Sequence, residues 1–180
     1  MRTFFVAAVC GLTAALSAGC GGRGEGVEPE KRLSRDYSHT GEGFGFALRE
    51  PEGWRTDPSG LGRAQVVFYE RDARGYRSNM TVAVIETDDP VARIGEKVTA
   101  AGAEAVGAKV SGAVETTTAG RPSWSADLEF AKGGYEVRGC QLVVNRGGGK
   151  ALVFTCTASA DRWAELGPVF KASLATLKFD

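Results

Sequence analysis

Apolar and polar positions alternate with a period of two through most of the chain, and the period changes to three or four twice. Alternation marks strands with one face buried, and the longer period marks helices with one apolar stripe. FGFALR (Phe44 to Arg49) alternates briefly, then meets a turn at Pro51 and Gly53 before Trp54. Residues 56–64 read as loop. QVVFYE (Gln65 to Glu70) and NMTVAVIE (Asn79 to Glu86) are β-branched and aromatic, hence strands. In the second, Met80, Val82 and Val84 share one face while Ala83 and Ile85 make the other partly apolar, so both faces of the sheet should be covered. Thr87-Asp88-Asp89-Pro90 then opens a helix, with an Asp suited to capping and Pro in the first turn. Val91, Ile94, Val98 and Ala101 give its buried stripe, and Gly107 should end it.

Ala108 to Thr118 returns to alternation, with Val110 and Val114 expected inward and Lys109, Ser111 and Glu115 outward. SWSADLEF follows, carrying Trp124, Ala126, Leu128 and Phe130 on one face. Gly133-Gly134 is a two-residue hairpin signal. Pairing across it sets Phe130 beside Val137 and Glu129 beside Arg138, an apolar pair and an opposite-charge pair in one register. A second hairpin folds about Gly148, bringing Val143 to Val153, Leu142 to Phe154 and Cys140 to Cys156. The chain closes with a helix from about Asp161 to Leu177. Its stripe is Trp163, Leu166, Phe170, Leu174 and Leu177, with Gly167-Pro168 expected to kink it.

The first 20 residues follow a different rule. Arg2 precedes an apolar run to Leu16, and LSAGC ends at Cys20, which is the layout of a secretory signal. The final cysteine resembles the bacterial lipoprotein box, which implies diacylglycerol on the Cys20 thiol and export to the extracytoplasmic face of a bacterial membrane. The segmentation expected is therefore a signal peptide over 1–19, a flexible tether over 20–40 and one domain over 41–180. No later segment approaches the ~20 apolar residues of a spanning helix.

Export changes the meaning of the cysteines. Cys10 leaves with the signal and Cys20 carries lipid, so Cys140 and Cys156 remain as a pair in an oxidising compartment. Opposite residues of an antiparallel pair stand ~4.5–5.5 Å apart at Cα, within the bridging range of roughly 4.4–6.8 Å. A disulfide between them is expected.

Charge and motif content exclude more than they assign. Lys and Arg number 22, as do Asp and Glu, so no net charge recruits nucleic acid. The one histidine, His39, falls in the expected tether, leaving no Ser–His or Cys–His arrangement in the domain. GEGFGF and RGGGKA lack the spacing of nucleotide-binding loops. Acidic pairs such as Glu70/Asp72 and Asp88/Asp89 are too sparse for a calcium loop. The expectation is no enzyme, no metal and no cofactor. Trp54, following its turn, and the basic residues Arg55, Arg63 and Arg71 around it are the candidate contacts for a partner.

FGFALREPEGW, QVVFYERD, SNMTVAV, GRPSWSADLEF, KALVFTCTA and the closing WAELGPVFKASLATLKF together resemble the PsbP/DcrB superfamily, including its LpqN-type lipoproteins. The resemblance spans roughly Phe44 to Asp180. It implies an α+β fold, an α/β/α sandwich around a mostly antiparallel sheet, and action by binding rather than covalent chemistry. One member supports a photosynthetic membrane complex, a yeast relative binds a small GTPase, and bacterial relatives chaperone secreted effectors. The expected role is a membrane-anchored lipoprotein that binds or stabilises an envelope protein partner. The alternative is a carrier of a lipid or small hydrophobic ligand, which would need inward apolar space that its helices leave unfilled.

Overall fold

The computed structural model describes residues 28–40, 44–60 and 64–179. They form a short 3₁₀ turn (Pro29–Arg32), ten strands and two α-helices. The strands are β1 (Leu33–His39), β2 (Phe46–Pro51), β3 (Arg55–Asp57), β4 (Val66–Tyr69), β5 (Asn79–Glu86), β6 (Lys109–Thr118), β7 (Arg121–Lys132), β8 (Tyr135–Gly147), β9 (Lys150–Ser159) and β10 (Lys178–Phe179). Helix α1 spans Val91–Val106 between β5 and β6, and α2 spans Trp163–Ala175 after β9.

Seven strands make one sheet in the order β3-β4-β5-β9-β8-β7-β6, every neighbouring pair antiparallel. The chain leaves β5 through α1, enters the far edge at β6 and returns as a meander. Strand β9 thus comes to rest in the centre, against β5. Helix α1 covers one face by packing on β6, β7 and β8. The other face carries α2 and, beside it, a three-stranded sheet in the order β1-β2-β10. The result is an α+β sandwich of three layers around an antiparallel sheet.

Two apolar clusters hold these layers. On the α2 side, Phe46, Leu48, Phe68, Met80, Phe154 and Phe170 are among the side chains buried almost completely. On the α1 side, Val91, Ile94, Val143, Ala151 and Val153 pack together, with Trp124 against them. Polar bonds fix the end of α2 to β2: the Ser173 hydroxyl donates to the Arg49 carbonyl at 2.5 Å, and the Arg49 N–H donates to Thr176 Oγ1 at 2.8 Å.

Both hairpin registers match the expectation, with Phe130 opposite Val137, Glu129 opposite Arg138 and Cys140 opposite Cys156. Gly107 ends α1 in the left-handed region, φ 66°. Five expectations are corrected. Residues 28–40, assigned to the tether, instead form the 3₁₀ turn and β1, because β1 pairs with β2 and Arg49 donates to the carbonyls of Leu33 and Ser34. His39 therefore belongs to the folded domain. Thr56 and Asp57, assigned to loop, instead pair with β4 as part of β3. Asp89 does not cap α1: its carboxylate accepts from Lys97 at 2.9 Å and lies 3.6 Å from Arg93, and Pro90 occupies the cap position. Ala101 is exposed, while Gly95 and Thr99 of α1 are buried. Lastly, Val110 and Val114 are 37% and 53% exposed. A bulge between Ser111 and Val114 inserts one extra residue on β6, which turns the two valines to opposite faces of an edge strand.

Candidate functional site

Helix α2 packs on β8 and β9. Beyond it, on that face, β7 presents exposed Asp127 and half-buried Ser125, and β6 is exposed along nearly its whole length. The step between the helix and this open half of the sheet is a cleft of about 470 Å³. Lys171, Leu174 and Ala175 of α2 form one wall, and Gly112, Thr117 and Thr118 of β6 form the other. Ser125, Asp127, Cys140 and Leu142 line it from β7 and β8. The lining therefore combines one cation, one carboxylate, hydroxyls and two leucines.

Gly112 shapes one wall of this opening. It takes φ 60° in the bulge, a conformation that glycine adopts without strain. Asp127 leans over it, its Oδ2 only 3.0 Å from where a Cβ would stand. Among the described residues, β6 is the edge of the seven-stranded sheet, hydrogen-bonded to β7 alone. Past the bulge, Val114 to Thr118 continue as five regular residues whose one charge is Glu115, with neither Lys nor Pro.

Cys140 lies opposite Asp127 on one side and Cys156 on the other, and the row continues to Met80 and Phe68. It leads from solvent into the core. The two cysteines stand as free thiols at directly opposite positions in this structure, without the expected bridge. Burial, above all, and the neighbouring Cys140 push the Cys156 thiol up.

The residues expected to meet a partner lie elsewhere. Arg55 is exposed on β3, at the opposite edge of the sheet from β6, and Arg71 is exposed in the turn after β4. Trp54 is half-buried, its ring edge-on to Phe170 at 5.5 Å, so much of it serves the core. Arg63 and the lipid-attachment candidate Cys20 lie outside the described residues. His39 stacks between Phe44 and Phe46, at 4.8 and 5.5 Å between centroids, and burial lowers its pKa. Its Nδ1 stands 3.4 Å from the Tyr37 hydroxyl. Among the described residues, no Ser or Cys is hydrogen-bonded to it. Among the described residues, no three His, Cys, Asp or Glu side chains converge, and no helix is long and apolar enough to cross a membrane.

The solved structures with this architecture place the fold. Cyanobacterial PsbP (CyanoP) from Synechocystis sp. PCC 6803 superposes with a TM-score of 0.63 at 18% identity, over 91% of this chain and 99% of that one. The fold is PsbP-like. LpqN of Mycobacterium tuberculosis, described as involved in cell envelope biogenesis, gives 0.64 at 17% identity, over 80% of this chain and 90% of its own. The Saccharomyces cerevisiae Ran-binding protein Mog1p gives 0.59 at 13%, over 81% and 95%. No protein-family model and no curated protein matches the chain. At these identities, the likeness to PsbP is one of fold. The cleft is therefore argued from this chain's own residues.

Proposed function

We propose that the protein is a non-catalytic, lipid-anchored envelope protein that binds an extended segment of an exported protein partner. The segment pairs with the free edge of β6 and lays side chains into the cleft beside α2. The observation that carries this reading is the conjunction of a regular edge segment, Val114 to Thr118, that no strand of the described residues covers, with a mixed polar and apolar cleft opening directly beside it. Main-chain pairing supplies affinity in such an arrangement, and the adjacent pocket selects side chains. The envelope role described for LpqN and the Ran binding named for Mog1p support a binding role on this fold. The carrier reading is weaker. Large side chains fill the space between the layers, and Lys171, Asp127 and Ser125 in the cleft suit a peptide better than an acyl chain.

The test is site-specific photo-crosslinking in cells, with the photoreactive residue at Thr117 and, as a control, at Arg55 on the opposite edge. A partner captured from Thr117 and not from Arg55 is expected. Its capture should be lost when Val114→Lys charges the edge and when Ala175→Trp fills the cleft. Capture from Arg55 alone, or capture indifferent to both substitutions, would sink the proposal. Recovery of the chain with only a bound lipid would favour the carrier.

A further inference from the structure

Access divides the two thiols. Cys140 lines the cleft and keeps 7% of its surface, whereas Cys156 has none and sits one strand deeper on β9. They occupy directly opposite positions and share a face. A reagent entering between Lys171 and Asp127 meets Cys140 first and reaches Cys156 only through it.

We propose that Cys140 is a thiol–disulfide exchange site entered through the cleft, with Cys156 as its resolving partner, and that the oxidant is the disulfide of a small thiol. The Cys140 thiol loses its proton to solvent, and its sulfur attacks one sulfur of the reagent. The reagent's S–S bond breaks, one thiolate leaves and is protonated, and a mixed disulfide remains on Cys140. The Cys156 sulfur then attacks the Cys140 sulfur. Its proton passes to the second departing thiolate as the Cys140–Cys156 bond forms. Two protein thiols are oxidised by two electrons and one small disulfide is reduced to two thiols. Burial holds the Cys156 thiol pKa up, so Cys156 competes poorly for the reagent and the first attack falls to Cys140. Lys171 and Asp127 together suit a reagent bearing both carboxylate and ammonium groups. The exchange does not depend on what pairs with β6, although an occupant of the cleft would block it.

The experiment uses the full chain, reduced and freed of reductant, treated with oxidised glutathione, acid-quenched at intervals and mapped by peptide mass spectrometry. Cys156→Ser is expected to accumulate one glutathione on Cys140. Cys140→Ser should leave Cys156 unmodified, or modified about tenfold more slowly or worse. Wild type should pass to the Cys140–Cys156 bridge. Because serine in the core could unfold either variant, a brief alkylating pulse on reduced wild type reads the order in the unaltered chain, with Cys140 labelled ahead of Cys156. Ala175→Trp, an exposed position on the cleft wall, should slow both labelling and oxidation of Cys140 without shifting the thermal midpoint. Equal labelling of the two sulfurs, labelling only after denaturant is added, or indifference to Ala175→Trp would each overturn the proposal.

Discussion

Gly95 of α1 lies directly against the indole of Trp124 on β7: a Cβ built at Gly95 would stand 2.1 Å from Trp124 Cγ and 2.6 Å from its Cβ. No helix former fits there, because those atoms lie at the root of the side chain and cannot swing away. Gly102, two turns along the same helix, has nothing within 4 Å of its Cβ direction. The two glycines should therefore respond oppositely to alanine. Gly102→Ala should stabilise by about 0.5–1 kcal/mol through helix propensity. Gly95→Ala should destabilise by roughly 1–3 kcal/mol, since α1 must lift from the sheet to admit one methyl group. Urea unfolding of the two variants against wild type checks both signs.

A charged chain links three parts of the fold. Arg162, at the head of α2, donates to both carboxylate oxygens of Glu70 after β4, at 2.5 and 2.7 Å. Glu165 accepts from Arg32 of the 3₁₀ turn at 2.6 Å and lies 3.5 Å from Arg162. The hydrogen bond from Arg32, first, and then the positive fields of Arg32 and Arg162 hold the Glu165 carboxyl below the usual range, against an opposing effect of burial. The Arg162 and Glu70 side chains retain 33% and 22% exposure, so solvent screens the pair in part. Arg162→Ala should cost about 1–2 kcal/mol. A double-mutant cycle with Glu70→Gln should return a coupling of about 1 kcal/mol, and additive losses would show that the pair contributes no stability of its own.

His39 gives the fold a pH dependence on the acid side of neutrality. Burial against Phe44 and Phe46 lowers its folded-state pKa. As pH falls, the unfolded chain takes up the proton first, near a pKa of about 6.5. Stability is thus present above that value and lost as pH drops through the folded-state pKa. His39→Phe keeps a ring in the stack and removes the proton site. Urea midpoints measured from about pH 7.5 down to about 5 should fall for wild type and stay flatter for the variant. The carboxylates with lowered pKa values, Asp57, Asp89, Asp161 and Glu165, act at lower pH and should not confuse the reading.

What could be read from the sequence was local. The Cys140–Cys156 and Phe130–Val137 pairs follow from a glycine turn flanked by period-two alternation, and both are in place. Val114 was misread because one bulge residue reverses every facing beyond it, and Gly112 was the only local sign of it. β1 escaped notice because LSRDYSH carries few apolar residues besides Leu33 and Tyr37; its order comes from pairing with β2, a contact made across the chain. The cleft has no motif either. It exists because α2 packs over β8 and β9 while β6 is added at the far edge, and only the assembled sheet shows that offset.

The cysteine pair carries the last prediction. Register and shared face bring the two sulfurs together as thiols, so closing the bridge asks for no change of strand pairing. In protein exported by cells, alkylation without reduction should add nothing at Cys140 or Cys156, and addition of two groups would contradict the bridge. The closed loop of ~15 residues has a chain-entropy limit of about 3 kcal/mol. The measured gain should fall below it, at about 1–2 kcal/mol, because the hairpin turn at Gly147–Gly149 already brings the two strands together and the denatured chain retains part of that local preference. Urea titrations of the oxidised and reduced forms give the difference directly. The Cys140→Ala/Cys156→Ala double variant should behave alike with and without reductant, which separates the bridge from the packing of the two sulfurs.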